Sequence, residues 1–198
     1  LFKLLEKDVI NQNQAILAIS RAILRSKIGL KNNTKPIGSF LFLGASGVGK
    51  TWSAKMLAKH YFGSEKNVFR LDMSEYSDKV SASKLIGASP GYVGYEEGGV
   101  LIEHMKKKPH CVILFDEIEK SDPGVQQLLL QVLEEGELED NMGTKVFFKD
   151  SVVILTSNVG SNLIAKESLG FAPSKQNISD QIKNAAKNAF SPELINRL

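Results

Sequence analysis

The feature that most constrains this chain is an apolar run followed at once by a glycine-rich turn and a Lys-Thr pair. Residues 40–43 (FLFL) lead into residues 44–51 (GASGVGKT), which fit the pattern G-x-x-x-x-G-K-[ST]. The pattern predicts a strand, a turn whose backbone N–H groups surround a phosphate chain, and a helix whose positive end faces that anion. We expect Lys50 to reach the β- and γ-phosphates and the Thr51 hydroxyl to bind Mg²⁺.

The remaining contacts to the phosphates would come from the backbone of the loop. Its residues are Gly44, Ala45, Ser46, Gly47, Val48 and Gly49. The alternative interpretation is a glycine-rich turn between a strand and a helix that holds no ligand.

Composition limits the classes of protein that remain. A chain of 198 residues, 42% of them hydrophobic and 24% charged, suits one globular domain with a full core. The net charge of +3 is too small to indicate nucleic acid or an anionic membrane surface as a partner. A single cysteine excludes an internal disulfide framework. The apolar runs are far shorter than the roughly 18 residues that a membrane span needs, so we expect a soluble protein.

Short apolar runs alternate with helical patterns along the chain, which predicts an α/β fold with a central parallel sheet between layers of helices. The predicted strands are residues 40–43, 68–71, 111–115 and 152–155, and residues 136–149 are predicted to form a small hairpin. The predicted helices cover approximately residues 12–26, 49–61, 81–86, 100–107, 162–168 and 179–189, with one beginning at Asp122-Pro123 and a short one after Pro192.

Polar side chains follow two of these strands directly, at the sheet edge where the phosphate loop also lies. Asp116 is placed to hold Mg²⁺ through a water molecule, and Glu117 to deprotonate a water that attacks the γ-phosphate. An acidic pair that merely opens the next helix is the alternative. Asn158 could orient the γ-phosphate and the attacking water, or it could simply end its strand in a polar turn.

The glycine-rich segment of residues 87–99 is too long for an idle connection. It contains Tyr92, Val93 and Tyr95 between glycines, and aromatic side chains are costly to expose unless they grip a partner. The alternative is that these rings pack into the core.

Together these motifs resemble an AAA+ ATPase, and the finer matches resemble the second ATPase module of the Clp unfoldase family. The matching segments, in family order, are residues 39–44 (SFLFLG), 72–76 (DMSEY), 91–99 (GYVGYEEGG), 115–120 (FDEIEK), 129–133 (LLQVL), 156–158 (TSN) and 191–197 (SPELINR). They cover nearly the whole chain.

The resemblance implies a three-layer P-loop large domain that binds ATP and Mg²⁺, here as a fragment of a longer chain comprising residues 1–198. It implies that Val9 and Ile10 contact the adenine, and that Asp116, Glu117 and Asn158 hold the roles given above. It also implies that Arg197 enters the site of a neighbouring subunit. The last sheet strand and the small helical domain would then follow Leu198, leaving four strands here.

The resemblance further implies a homo-hexameric ring that threads unfolded protein, with Tyr92 and Val93 gripping the substrate. Leu169, Gly170 and Phe171 lie where the ClpA/ClpC class docks on a ClpP-type peptidase. Such a protein would be soluble, in the cytoplasm or in an organelle matrix, and would act on neither nucleic acid nor membranes. The alternatives are a ClpB-like disaggregase without the peptidase, an AAA+ protein acting on DNA, and a non-catalytic nucleotide-gated scaffold.

Overall fold

The computed structural model describes residues 1–10, 12–29, 34–88, 98–161 and 175–198. Its helices are α1 (Phe2–Asp8), α2 (Asn13–Lys27), α3 (Lys50–Phe62), α4 (Ser81–Ile86), α5 (Val100–Lys107), α6 (Pro123–Glu134), α7 (Lys175–Ala189) and α8 (Pro192–Asn196). Its strands are β1 (Gly38–Leu43), β2 (Val68–Asp72), β3 (Val112–Asp116), β4 (Glu137–Glu139), β5 (Lys145–Phe147) and β6 (Val152–Ser157). Three short 3₁₀ helices, Glu65–Asn67, Met73–Tyr76 and Ile118–Lys120, complete the regular structure of the described residues.

Four of the strands form one parallel sheet in the order β1-β6-β3-β2. The two central strands, β3 and β6, are buried along their whole length, as their continuous apolar sequences require. The parallel α/β fold and the four strands predicted from the sequence are therefore confirmed for the described residues. Strand β1 lies at an edge, and most of its side chains are only partly buried.

Alternate residues of the central strands face two separate apolar clusters, because successive side chains of a strand point to opposite faces. Leu114 and Ile154 pack with residues of α1, α2 and α3 on one face. Phe115 and Leu155 pack with residues of α5, α6 and α8 on the other. The result is a three-layer arrangement, with the phosphate loop and both polar strand ends at one edge of the sheet.

The small hairpin is formed by β4 and β5 and is antiparallel. Asp140 closes its turn, since its Oδ1 accepts hydrogen bonds from the backbone N–H groups of Met142 at 2.9 Å and Thr144 at 2.7 Å. The predicted turn at residues 141–143 is thus confirmed.

Several helix boundaries differ from the predicted ones. The N-terminal segment forms the helix α1, which no sequence pattern indicated. Helix α3 begins at Lys50 rather than residue 49, and α7 begins at Lys175 rather than residue 179. The predicted helix 162–168 lies outside the described residues. The cap position of α2 is Gln12, which makes no capping hydrogen bond through its side chain. No helix among the described residues is long and apolar enough to cross a membrane.

Candidate active site

The phosphate loop joins the end of β1 to the start of α3. Gly47 and Gly49 have φ angles of +79° and +94°, in the left-handed region that side chains other than glycine rarely adopt. A Cβ at either position would meet nothing within 4 Å, so the backbone conformation, rather than crowding, requires these glycines. The turn directs the first N–H groups of α3 toward the strand ends, which makes the loop a cradle for an anion.

Lys50 lies at the centre of the site. Its Nζ donates hydrogen bonds to the carbonyl oxygens of Gly44 at 2.5 Å and Ala45 at 3.0 Å, and to Asn158 Oδ1 at 2.8 Å. Burial lowers the pKa of Lys50 from its ordinary value, and the carboxylates of Asp116, Glu119 and Glu117 oppose that shift in this order. A partly buried ammonium group attracts an anion more strongly than an exposed one, because less solvent screens it.

Asp116 is buried, and both its carboxylate oxygens have partners. Oδ1 accepts a short hydrogen bond from Thr156 Oγ1, and Oδ2 lies 3.5 Å from Thr51 Oγ1. The structure thus brings together the two residues predicted to hold Mg²⁺. A hydroxyl and a carboxylate fit this ion, which takes oxygen ligands and usually keeps several waters and phosphate oxygens. No group of three or more His, Cys, Asp or Glu side chains that could hold a metal occurs in the described part of the chain.

Glu117 and Asn158 are joined directly. Asn158 Nδ2 donates to Glu117 Oε1 at 3.0 Å, so the Asn158 amide links the proposed base to Lys50. Glu119 holds the backbone of Asn158, because its Oε1 accepts the backbone N–H of Asn158 at 3.0 Å. The other oxygen of Glu117, Oε2, forms an ion pair of 2.6 Å with Lys120.

The backbone at Glu117 is unusual. Its φ of +59° is the one left-handed value of a non-glycine residue in the described ranges. Such a conformation costs of order 1–3 kcal/mol and is found mostly at functional sites. In this conformation the Glu117 carboxylate contacts Asn158 through Oε1 and Lys120 of the following 3₁₀ helix through Oε2.

Arg70 is a residue of the site that the sequence did not single out. Its Nε and Nη2 lie 2.8 and 2.7 Å from Asp116 Oδ2, the oxygen that also faces Thr51. A charged residue within the apolar strand β2 was the available signal, but only the pairing of β2 with β3 reveals its partner.

These side chains line a single cavity of about 320 Å³. Its lining residues are Ser46, Gly47, Gly49, Lys50, Thr51, Trp52, Arg70, Asp116, Glu117 and Asn158. A second cavity of about 210 Å³ lies on the other side of the phosphate loop, where Gln12 and Ala15 of the α2 region face Val48, Gly49 and Lys50. The predicted metal and base residues therefore share one site with most of the predicted phosphate residues. Val48 lines the second cavity, and Gly44 and Ala45 contact Lys50 through their carbonyl oxygens.

The residues predicted to contact the adenine do not line either cavity. Val9 is 5% exposed and belongs to the apolar cluster of α1, α2 and α3, whereas Ile10 is 76% exposed. Their contact with a base stays a prediction.

Arg197 lies far from the phosphate loop of its own chain. Its Nε is 2.6 Å from Glu134 Oε1, and it lines a cavity with Ile37, Gly38 and Ser39 around the start of β1. Because the phosphate loop follows the other end of β1, about 16 Å away along the strand, Arg197 cannot reach it within one chain. Tyr92, Val93, Leu169, Gly170 and Phe171 lie outside the described residues.

Comparison with known proteins agrees with this geometry. The model of the AAA domain (Cdc48 subfamily) matches residues 35–198. A chaperone protein ClpB from Wolinella succinogenes is 54% identical over 194 residues, which are 98% of this chain and 22% of that protein. This chain is a Clp-family AAA+ ATPase module.

Relatives of a second kind match the AAA+ module almost as well. An ATP-dependent Clp protease ATP-binding subunit ClpA homolog from Porphyra purpurea is 50% identical over an alignment of 199 positions, which covers 96% of the module and 24% of that protein. A probable ATP-dependent Clp protease ATP-binding subunit from Chlamydia pneumoniae is 47% identical, over 98% of the module and 24% of its own length. The module thus spans less than a quarter of the curated relatives it matches.

Proposed function

We propose that the module hydrolyses ATP with Glu117 as general base. The observation that carries this proposal is the hydrogen-bonded row Lys50–Asn158–Glu117 at the mouth of the phosphate loop. Lys50 and the loop N–H groups bind the phosphates, and Asn158 orients a water between the γ-phosphate and Glu117. Glu117 then accepts the proton of that water as the water attacks phosphorus and the bond to the β-phosphate oxygen breaks.

Thr51 and Asp116 are the residues that would hold Mg²⁺, and the ion would neutralise the charge on the phosphates. Asp116 is kept in place by Thr156 and Arg70, so its carboxylate keeps one orientation. The pair between Glu117 and Lys120 is half-exposed and therefore weak, which leaves Glu117 Oε2 free to exchange Lys120 for water.

The replacement Glu117→Gln tests this assignment. It preserves the shape of the side chain and removes its basicity, so we expect ATP binding to be retained and turnover to fall by about 10²-fold or more. Binding is measured by calorimetry and turnover by phosphate release. Glu6→Gln on the exposed face of α1 is the matched control and should change neither quantity. Unchanged turnover in Glu117→Gln would show that Glu117 is not the general base, and it would favour the alternative of a non-catalytic, nucleotide-gated scaffold.

For the whole protein we propose a hexameric ring that unfolds protein substrates, with Tyr92 and Val93 gripping the chain that is threaded. Support comes from the names of the relatives, which are chaperones of the ClpB kind and ATP-binding subunits of Clp proteases. Their similar identities, 54% and 50%, do not separate a disaggregase from a subunit that feeds a peptidase.

Residues 169–171 (LGF) favour the peptidase-coupled form, since an apolar-Gly-apolar tripeptide in a polar stretch is suited to docking on a ClpP-type partner. Deleting these three residues from the full-length protein should abolish degradation by the protein together with its peptidase and leave ATP turnover unchanged. A deletion variant that still supports degradation would favour the ClpB-like alternative, which predicts no dependence on this tripeptide.

A further inference from the structure

Trp52 occupies an unusual place beside the phosphate loop. It follows Thr51 in the first turn of α3, lines the 320 Å³ cavity, and is 48% exposed. Its Nε1 donates a hydrogen bond of 2.9 Å to the backbone carbonyl oxygen of Asp8. A side chain that directly adjoins the phosphate loop thereby reaches a residue 44 positions earlier in the chain.

Helix α3 holds Asp8 at a second point. His60 Nε2 lies 2.7 Å from Asp8 Oδ2, two turns further along α3 than Trp52. The backbone of Asp8 is thus fixed by Trp52 and its carboxylate by His60. Asp8 is the last residue of α1, and a residue held at two points by one rigid helix has little freedom to shift along it.

The segment that Asp8 fixes leads from α1 to α2. Val9 is buried and donates its N–H to Leu5 O at 2.8 Å, while Ile10 extends toward solvent. The chain then reaches Gln12, which faces Val48 and Gly49 across the 210 Å³ cavity. The Trp52 hydrogen bond therefore joins the first turn of α3, beside the phosphate loop, to the residue that precedes Val9 and Ile10.

We infer that Trp52 is a positioning residue for the base of the nucleotide: its indole N–H holds residues 8–10 in register with the phosphate loop. This inference rests on the proposed function as an ATPase and on the predicted contact of Val9 and Ile10 with the adenine. The hydrogen bond then contributes to the affinity for a nucleotide and contributes nothing to the affinity for a phosphate chain without a base.

The test compares ADP with inorganic tripolyphosphate as probes, by calorimetry on the 198-residue chain. In Trp52→Phe the ring stays apolar and the N–H is lost. We expect ADP to bind about two- to tenfold more weakly, the size of one neutral hydrogen bond, and tripolyphosphate to bind within twofold of the original protein. Equal weakening of both ligands, or unchanged ADP binding, would overturn the inference.

A second variant keeps the size and shape of the indole. Trp52 is the single tryptophan of the chain, so replacing tryptophan by 3-benzothienylalanine during expression changes this site alone and exchanges the N–H for sulfur. We expect the same selective loss of ADP affinity as in Trp52→Phe. If the protein with 3-benzothienylalanine at position 52 folds and binds ADP with the original affinity, the inference is contradicted. This result holds even if Trp52→Phe does not fold.

The matched control is Tyr61→Phe, which removes one polar group from the other end of α3. It should leave the binding of both probes unchanged, and a loss of ADP affinity in this control as large as that in Trp52→Phe would overturn the assignment to Trp52. Binding of the two probes to the original protein distinguishes a failure of this inference from a failure of the proposed contact with the base. If that protein binds ADP no more tightly than tripolyphosphate, the proposed contact with the base fails; if it prefers ADP and the two Trp52 variants keep that preference, only the inference fails.

Discussion

Arg70 supplies the positive charge that a buried Asp116 requires. Two of its nitrogens contact the same carboxylate oxygen, and the guanidinium also lies 3.7 Å from Asp72, although the Arg70 side chain is 54% exposed. Hydrogen bonds to charged groups are stronger than neutral ones, but solvent screening reduces the contribution of an exposed partner. Arg70 is therefore expected to contribute to stability as well as to the orientation of Asp116.

Replacing Arg70 by Gln should lower the free energy of unfolding by about 1 kcal/mol, since the buried carboxylate then loses its charged partner. Urea unfolding measures the change. Arg21→Gln on the exposed side of α2 is the control and should shift the free energy much less. Equal effects of the two replacements would show that the Arg70–Asp116 contact does not stabilise the fold.

Cys111 is buried just before β3, and burial raises the pKa of its thiol to about 12. The unfolded chain ionises this thiol near its ordinary pKa of 9.0, so the unfolded state binds fewer protons above that pH. The stability contributed by the protonated thiol is thus complete below pH 9 and is lost as the pH rises toward 12.

Thiol labelling of Cys111 in the native protein should be slow and limited by unfolding, whereas in urea it should be fast. Rapid labelling in the absence of urea would contradict the burial.

At the scale of the elements, α6 begins with a well-formed cap. Asp122 Oδ1 accepts the N–H of Gly124 at 2.8 Å, and Pro123 occupies the first helical position, where its missing N–H is not needed. The apolar stripe of α6 then packs under β3 and β6. The cap fixes the start of α6, which is where the short connection between β3 and α6 ends. Glu117 lies in this connection, so the cap affects the site.

Replacing Asp122 by Ala should destabilise the module by about 1 kcal/mol, the usual cost of a lost helix cap. Chemical denaturation measures this loss. Asp180→Ala on the exposed surface of α7 removes a carboxylate without a capping role and should have a smaller effect. An Asp122 variant as stable as the Asp180 variant would rule out the cap as a source of stability.

The sequence predicted those elements whose pattern is local. The apolar runs of β3 and β6, the Asp122-Pro123 start of α6 and the glycines of the phosphate loop are each a pattern of neighbouring residues. Contacts between distant segments could not be predicted in this way, because they depend on how elements pair and pack. The Arg70–Asp116 contact needs the register of β2 with β3, and the Trp52–Asp8 bond joins α3 to a helix that has no sequence signature.

At the scale of the whole molecule, the two parts of the proposed catalytic arrangement are separated. The phosphate loop follows the end of β1 and shares a cavity with Glu117, which follows β3, whereas Arg197 lies around the start of β1. If Arg197 serves a nucleotide, as the family resemblance implies, it serves that of another copy. The Glu134–Arg197 pair, which is partly exposed, would have to exchange partners when copies meet.

Mixing two inactive variants of the full-length protein tests this arrangement. Arg197→Ala and Glu117→Gln should each lose activity on their own, by about 10³-fold or more for an arginine that stabilises phosphoryl transfer. A mixed ring of equal amounts should regain about a quarter of the original rate, because one site in four then combines an intact Glu117 with an intact Arg197 from its neighbour. If the mixture is as inactive as each variant alone, Arg197 does not act in the site of a neighbouring subunit.

If Arg197 acts on the site of another copy, its separation from the phosphate loop also limits how copies can be related by symmetry. A contact that joins the start of β1 in one copy to the end of β1 in the next joins unlike surfaces, so it repeats head to tail. Any open row of copies then has one Arg197 without a site at one end and one site without an Arg197 at the other. Only a closed cycle pairs every Arg197 with a site. If Arg197 acts in this way, closure of the assembly would itself be a condition for full activity, and a single missing subunit would remove the function of its neighbour as well as its own.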